Sequence, residues 1–478
     1  MVNPLPSIAV DGAFLQCFPI TDTNTGKTVF PIDRPTLVGD MTIAWGRDNV
    51  WDQPDPSVLT LTMWEPQPGE WLRKVVEKKA IRRGVLVSFR RQDGAVDKDV
   101  IIFQGFTTNV DVQASQQLTD SGMTDGWMVQ IQATDRSGFL GQENWGAQVL
   151  PEQSMQERAV RIRNQAAPTG IRQFYFEDNF KSGIVGAMDV TDKTVLDMVT
   201  GMYTSFADQW TYIPARNVVN RIPGGSNFQP YTLLLGVTYL AGSSVKLYPP
   251  TWGDPTGKED PIDTAAYPTA YIGACDVTGG IALSSNMIQD ITHISCKWYN
   301  KPGGAWHVTT LTVKDETPRS RLEFESWYND GTFVDPILED VRRTVVQDGG
   351  IPPHPRLTWD TAKSQDVPDW NTFESLTMAA QTIRMVALAG DPFAYALGRA
   401  PVWHPGGGVV GYRSGKWFFE LDLLPTVMPL PDNFVPITPA MINKSITLAN
   451  PDRWHIDNSI TPYDMRFVPN DGQVYNLR

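Results

Sequence analysis

The run Val85-Leu86-Val87-Ser88-Phe89-Arg90, the dipeptide Asp93-Gly94 and the run Val100-Ile101-Ile102-Phe103-Gln104-Gly105-Phe106 decide the fold class. Val85, Val87 and Phe89 alternate with Leu86, Ser88 and Arg90, the period of a strand whose two faces differ. Asp-Gly is a tight-turn signal, so the two runs read as an antiparallel hairpin. The pattern spreads outward from Trp45 to Leu140, through Thr107 to Val112 and then Trp127-Met128-Val129-Gln130-Ile131-Gln132-Ala133. Thr134-Asp135-Arg136-Ser137-Gly138-Phe139-Leu140 follows as a strand exit into a polar, Gly-containing turn. Several hairpins at close spacing predict a barrel or sandwich.

At 478 residues the chain exceeds one hydrophobic core, and two to four domains are expected on the usual size scaling. It is 41% hydrophobic and 19% charged with 37 Pro and 39 Gly, which makes it globular and loop-rich rather than disordered. A net charge of −13 argues against nucleic-acid binding as its main business. Arg73, Lys74, Lys78, Lys79, Arg82, Arg83, Arg90 and Arg91 crowd one stretch, read as a solvated face with a basic patch as the alternative. Cys17, Cys275 and Cys296 are odd in number and far apart, so reduced core or surface thiols are expected, without disulfide or zinc ribbon. Met1-Val2-Asn3-Pro4-Leu5-Pro6 lacks the basic-then-apolar pattern of a signal peptide, and no run approaches the roughly 18 apolar residues of a membrane span. Synthesis in the cytosol and no stable membrane association are the expectations. Sixteen tryptophans, from Trp45 to Trp454, are scattered as separate packing or interface anchors rather than gathered as a sugar platform.

Five segments are expected: an arm or edge strand over 1–35, a first β-barrel module over 36–150, an α+β segment over 151–270, a second β module over 271–425, and an extension over 426–478. The fold class is mainly β with α+β parts, two barrel-like domains separated by helix-containing segments. Ser154-Met155-Gln156-Glu157 is a capping box, with Met155, Ala159, Ile162 and Ala166 on one face until Pro168. A second helix follows Thr191-Asp192, with Val195, Val199, Met202 and Phe206 inward and Leu196 and Tyr203 flanking. Trp210 to Ile213 reads as a strand, and 214–268 as an irregular excursion, a contact surface in which only Tyr231 to Tyr239 is strand-like. Asp290 to Tyr299 and Trp306 to Val313 make a hairpin across Pro302-Gly303-Gly304. Asp335-Pro336 opens a third helix as N-cap and first-turn proline, with Ile337, Val341 and Val345 on one face. A fourth begins at Asn371-Thr372-Phe373-Glu374, and Lys416 to Leu423 is the last strong strand.

Motifs that could carry chemistry fail their structural tests. Gly406-Gly407-Gly408-Val409-Val410-Gly411 has the spacing GxGxxG, yet no helix follows, so a hairpin loop is the better reading. Gly26-Lys27-Thr28 imitates the end of a phosphate-binding loop, but Thr21 stands at its first Gly and Pro31 blocks the helix. His293, His307, His354, His404 and His455 lack metal-ligand spacing, although His293 and His307 would make a polar pair across the hairpin. Glu323 and Glu325 share a strand face about 7 Å apart, a separation compatible with glycoside hydrolysis but more simply exposed alternation. No catalytic, cofactor-binding or metal-ligating residue is assigned.

Several pieces resemble the tail hub proteins, minor tail proteins of long-tailed bacteriophages. They are the Val85–Phe89 strand, Ile102-Phe103-Gln104-Gly105-Phe106, Val129 to Asp135 followed by Gly138-Phe139-Leu140, and Trp45-Gly46-Arg47-Asp48 ahead of Gln53 to Ser57. Met155-Gln156-Glu157-Arg158 with Ile162, Val195-Leu196-Asp197-Met198, Ile288 to Tyr299, the helix at 336–347 and Gly415-Lys416-Trp417 also fit. The resemblance covers most of 36–425; the 214–268 excursion and the tail after 425 have no counterpart. It implies a homotrimer whose protomers carry two related β-barrels, forming a ring that joins the tail tube to the distal tip around the channel. It further implies a distal tail protein, a tape measure protein and other minor tail proteins as partners, a place in the virion, and no cofactor or specific nucleic-acid binding. A cell-wall glycosidase acting through carboxylates, and a carbohydrate- or receptor-binding module, remain as alternatives.

Overall fold

The computed structural model describes residues 5–21, 25–47, 52–93, 96–166, 168, 171–174, 181–206, 209–212, 233–238, 270–273, 280–283, 291–317, 320–348, 355–360, 383–386, 403–413, 415–425, 454–456, 466–469 and 475–476. Its strands are named here as β1 (Pro6–Val10), β2 (Met41–Gly46), β3 (Asp55–Pro66), β4 (Gly84–Asp93), β5 (Val96–Thr119), β6 (Gly122–Asp135), β7 (His293–Asn300), β8 (Ala305–Thr312), β9 (Arg321–Glu325), β10 (Pro355–Asp360), β11 (Trp403–Arg413) and β12 (Lys416–Pro425). The helices are α1 (Glu70–Val76), α2 (Arg136–Leu140), α3 (Met155–Ala166), α4 (Val195–Thr204) and α5 (Gly331–Asp348). Shorter strands are given by residue.

The architecture is mainly β, as the alternation predicts. A 14-stranded sheet has eleven strands in the order Gly280–Leu283, β10, β12, β11, β2, β3, β6, β5, β4, β1, Ala13–Phe14, with Thr36–Leu37 branching off β3, and Ile383–Val386 off β11 with Ala270–Gly273 beside it. Along each strand every second side chain turns inward: Leu59, Leu61 and Met63 from β3, Val85, Val87 and Phe89 from β4, and Val129, Ile131 and Ala133 from β6. Tyr412, Trp417, Phe419, Leu421 and Leu423 from β11 and β12 complete the same core. Burial of that apolar face is the driving force that holds the strands together.

The sheet is strongly curled. Six strand-to-strand steps separate β4 from β12. A flat sheet would hold them about 29 Å apart at the usual strand spacing. Instead the Phe89 and Trp417 rings meet edge to face with centroids 6.3 Å apart. Phe18, just after β1, packs on Tyr412 of β11 at 5.4 Å. No ladder among the described residues joins β1 or β4 to β12, so the trough is barrel-like but not closed by hydrogen bonds.

This revises the expectation of two separate barrels. β11 pairs with β2, from Gly407 opposite Gly46 to Tyr412 opposite Met41, so strands from 403–425 complete the core begun by the first 135 residues. Alternation specifies which face a strand buries but not its neighbour, and β11 satisfies the pattern in either sheet. Residues 1–35 contribute the near-edge strand β1, whose Ile8 and Val10 are buried, paired to β4 from Pro6 opposite Phe89 to Val10 opposite Val85.

A second core gathers α3, α4, α5 and the three-stranded sheet β8-β7-β9. The Ser154 hydroxyl accepts from the Glu157 N–H at 3.2 Å and the Glu157 carboxylate accepts from the Ser154 N–H at 2.9 Å, the predicted capping box of α3. Met155, Ala159, Ile162 and Ala166 are buried along it. For α4 the cap is Thr194 rather than Thr191 or Asp192, in a reciprocal box with Asp197, and Tyr203 is fully buried instead of flanking. α5 starts before the predicted Asp335-Pro336, so Pro336 lies inside it. Asp330 accepts from the Thr332 N–H at 2.9 Å, while Phe333 stacks on Tyr328 and Val334 is buried. Packing therefore recruits an extra turn ahead of the proline, although Pro336, sixth in the helix, gives up a backbone hydrogen bond there. Ile337, Val341 and Val345 are buried as expected.

Gln209–Tyr212 forms the strand expected after α4, and Leu233–Thr238 is the strand expected within the excursion. Leu233–Thr238 pairs with Gln209–Tyr212 and, in parallel, with Ile171–Phe174. The rest of the 214–268 excursion and the helix expected from Asn371 lie outside the described residues, as does the tail after 425 apart from three short paired strands.

Candidate functional site

The segments around Gly105, Asp135 and Phe139 meet at one junction. β6 ends at Asp135, a fully buried carboxylate that caps α2. One oxygen accepts from the Ser137 N–H at 2.8 Å, the Gly138 N–H at 3.3 Å and the Ser137 hydroxyl; the other accepts from the Ser57 N–H of β3 at 2.8 Å. Burial raises the Asp135 carboxyl above the usual carboxylate range, opposed by the hydrogen bonds from Ser137, Ser57 and Gly138. Gly105 of β5 lies opposite Asp135 of β6, so close that a Cβ there would lie 1.9 Å from the Thr134 carbonyl oxygen, and one on Gly138 would lie 2.2 Å from Thr134 Oγ1. Phe106 packs edge to face on Phe139 at 4.4 Å, and the Arg136 guanidinium lies 5.2 Å from the Phe106 ring centroid. Every acceptor of Asp135 is engaged, which makes it a cap and a clamp between β3, β6 and α2 rather than a catalytic acid.

The other sequence candidates do not converge. Glu323 and Glu325 share the exposed face of β9, as alternation predicts, but Glu325 pairs with Lys297 at 3.3 Å and Glu323 with Arg321 at 3.8 Å. Their partners between, Leu322 and Phe324, pack on the second core. His293 lies opposite Thr312 and His307 opposite Trp298, so the expected histidine pair is absent: the register offsets them by five residues. His293 is buried beside the Thr292 hydroxyl at 2.9 Å, and His307 lies against Trp298 at 5.4 Å. His404 falls within β11 and His455 within Trp454–Ile456, while His354 lies outside the described residues.

The GxGxxG run is not a hairpin loop. It lies inside β11, where Gly408 has φ +135° and a Cβ would lie 2.0 Å from the Glu420 carbonyl oxygen. The hairpin turn is at Gly415, φ +84°, with open space around it. Gly26-Lys27-Thr28 is the predicted turn, joining Ile20–Thr21 to Thr28–Val29. In the basic stretch Lys74 reaches Asp11 at 2.7 Å and Glu70 at 2.9 Å, and Lys79 reaches Glu77, the pattern of a solvated face. Burial pushes the Cys17 thiol up to about 11 and the Cys296 thiol up to about 12, which disfavours the reactive thiolate at neutral pH; Cys275 lies outside the described residues. Among the described residues no group of three or more His, Cys, Asp or Glu side chains could hold a metal ion, and no helix is long and apolar enough to cross a membrane.

One surface escapes the motif search. On the outer face of the β7–β8 hairpin Trp306 and Tyr299 pack edge to face at 5.6 Å, and the Lys297 ammonium lies 4.5 Å from the Trp306 ring centroid. Trp306 and Val308 are nonetheless exposed, 55% and 65%. The signal available in the sequence was the lack of any charged residue from Ala305 to Thr312.

No family model matches this chain, and no curated protein does. Among solved structures, three of the neighbours are phage or prophage tail proteins. A tail protein from Neisseria meningitidis MC58 aligns at TM-score 0.49 and 10% identity, over 88% of this chain and 96% of its own. The 43 kDa tail protein of prophage MuSo2 from Shewanella oneidensis aligns at 0.49 and 7%, over 89% and 99%. A prophage tail protein from Listeria monocytogenes EGD-e aligns at 0.37 and 9%, over 80% and 87%.

Proposed function

We propose that this chain is a structural subunit of a bacteriophage tail tip, three copies of which form a hub ring joining the tail tube to the distal tip. The ring surrounds the channel for DNA and the tape measure protein, and its neighbours are that protein, the distal tail protein and further minor tail proteins. The observation that carries this reading is the convergence at the Asp135 junction. Three of the separated pieces that resemble tail hubs, Ile102–Phe106, Val129–Asp135 and Gly138–Leu140, form one contact there, so the resemblance lies on a physical unit rather than on scattered coincidences. A polar, acidic lumen suits the net charge of −13, because a passing polyanion is repelled rather than retained.

In this reading the protein is not an enzyme and resides in the virion after synthesis in the host cytoplasm. The test is the mass of the purified chain in solution together with an image of the particle that carries it. A trimer found as a ring at the tail tip is the expected result; a compact monomer that hydrolyses peptidoglycan, and loses that activity on changing Glu323 and Glu325 to Gln, refutes it.

A further inference from the structure

The cations that crowd residues 73–83 stand on a loop held in place at both ends. α1 is capped by Glu77, and Lys78 follows at φ +57°, the left-handed position that glycine usually fills after a helix. The Lys78 N–H donates to the Val75 carbonyl at 3.0 Å and the Lys79 N–H to the Lys74 carbonyl at 2.7 Å, which closes the helix end. Arg82 is left-handed too, at φ +64°. Thr107 of β5 fixes it there. The Thr107 carbonyl accepts from the Arg82 N–H and the Thr107 N–H donates to the Arg83 carbonyl, both at 2.9 Å, while its hydroxyl donates to the Ala80 carbonyl at 2.7 Å. Left-handed backbone is costly for a residue with a Cβ, and such strain gathers at functional sites. Here both strained positions carry a long cation.

Those cations are not all answered within the chain. Lys74 pairs with Asp11 and Glu70, Lys79 with Glu77, and Arg83 lies 3.9 Å from Asp11, but among the described residues Arg73, Lys78 and Arg82 make no ion pair. All three are exposed, and between them in sequence Val76 and Ile81 are 73% and 47% exposed. The region around α4 presents the opposite charge. Residues 143–149 run beside 189–195: Val149 lies opposite Asp189, the Trp145 N–H donates to the Lys193 carbonyl and the Val195 N–H to the Glu143 carbonyl. Glu143, Asp189, Asp192 and Asp197 stand on these runs against Lys193 alone, and among the described residues none of the four makes an ion pair. Val149, beside them, is 67% exposed.

We propose that the cationic loop of one copy docks on this carboxylate face of a second copy, with Val76 and Ile81 covering Val149. Charge decides both the occupant and the geometry. The loop cannot face itself, because a two-fold contact through it would set like charges together. The contact therefore joins two different faces and repeats head to tail, into a ring or a filament. A phosphate backbone would answer the cations but not Val76 and Ile81. An anionic bilayer is broad enough to meet the acidic remainder of a chain of net charge −13, which it repels. Between two copies that overall repulsion is screened beyond about 8 Å at physiological salt, so the opposite charges in contact prevail. The tail reading adds that three copies close the ring; the joint itself does not rest on it.

The test is the mass of the full purified chain, by sedimentation across concentration and salt. Self-association should weaken at least about tenfold between about 50 mM and 500 mM NaCl, as exposed charges are screened. Lys78→Gly with Arg82→Gly removes two cations and the strained side chains together. It should weaken association at least about tenfold at low salt while the denaturation midpoint holds, because relief of the left-handed backbone offsets the freedom of glycine in the unfolded chain. Asp189→Lys with Asp192→Lys should weaken association as much. Mixed, the two variants should form one-to-one pairs, since each keeps the face that the other has lost. A chain that stays monomeric at low salt overturns the joint, as do variants that fail to pair when mixed. An oligomer indifferent to both variants overturns it and leaves the tail reading standing. Loop-dependent binding to phosphatidylglycerol vesicles or to duplex DNA, in place of self-association, gives the loop to that surface and overturns the proposal. Absence of the chain from phage particles removes the tail reading, and the joint still stands or falls on these masses.

Discussion

Replacing Asp135 by Ala should open the junction between β3, β6 and α2. The substitution strands the N–H groups of Ser57, Ser137 and Gly138 and the Ser137 hydroxyl, all of which Asp135 now accepts. Ser137 is 0% exposed, so its N–H cannot turn to water without movement. A buried donor left without a partner costs about 1–3 kcal/mol, and loss of an N-cap about 1 kcal/mol, with overlap between the two because the cap bonds are the same bonds. Counting Ser137 as buried and Ser57 and Gly138 as half-solvated gives about 2–4 kcal/mol. Asp135→Asn keeps one acceptor for Ser137 but turns an amide N–H₂ toward the Ser57 N–H, for about 1–3 kcal/mol. The junction is one part of a chain with two cores, so the assay is local: amide exchange over Arg136–Leu140 and at Ser57. About 3 kcal/mol corresponds to roughly a hundredfold faster exchange there in the Ala variant. Exchange within a factor of about three of the parent, at unchanged overall stability, would show that the carboxylate is not the clamp.

Gly408→Ala should cost about 2–5 kcal/mol, because a Cβ at φ +135° meets the Glu420 carbonyl, while Gly415→Ala, in open space at φ +84°, costs about 1 kcal/mol; equal shifts in denaturation midpoint would refute the close approach of β11 and β12. Cys17 and Cys296, raised to about 11 and 12, should resist iodoacetamide at about pH 8 in the folded chain and react on unfolding; peptide mapping that finds either labelled in the native state contradicts their burial. The Glu157 carboxyl is held below its ordinary value by the Ser154 N–H and hydroxyl. Its support of α3 is therefore complete above the unfolded value of 4.5 and is lost as pH falls through the lowered folded value, so Glu157→Gln should remove that pH dependence from circular dichroism recorded between about pH 6 and pH 3.

Local signals in this sequence were legible wherever one residue answers to its neighbours along the chain. The box Ser154 to Glu157 caps α3, and the alternation of Val85, Val87 and Phe89 sets the buried face of β4. Boundaries shifted where packing outweighed a local signal. Asp335-Pro336 looks like a helix start, yet Val334 and Phe333 gain enough burial to extend α5 ahead of it. The glycines of 406–411 read as a hairpin loop because no helix follows them; in β11 they admit the backbones of β2 and β12 at distances no Cβ allows, a cause that lies 12 residues away on one side and some hundreds on the other.

Pairing between distant strands was not legible, and the curled sheet shows why. Period two fixes a face, so Lys416 to Leu423 was legible as a strand, but the pattern that buries Trp417, Phe419 and Leu421 serves any core of suitable width. What commits them to the first 135 residues is shape: Trp417 meets Phe89, and Tyr412 meets Phe18, only after six strands have curled. The candidate site was hidden for the complementary reason. Motif searches look for residues that do chemistry, whereas β8 is distinguished by what it lacks, and an uncharged strand is unremarkable until the topology places it at an edge. On the solvent face of β8, 55% and 65% exposed, Trp306 and Val308 are apolar surface beside an edge that no described strand pairs with.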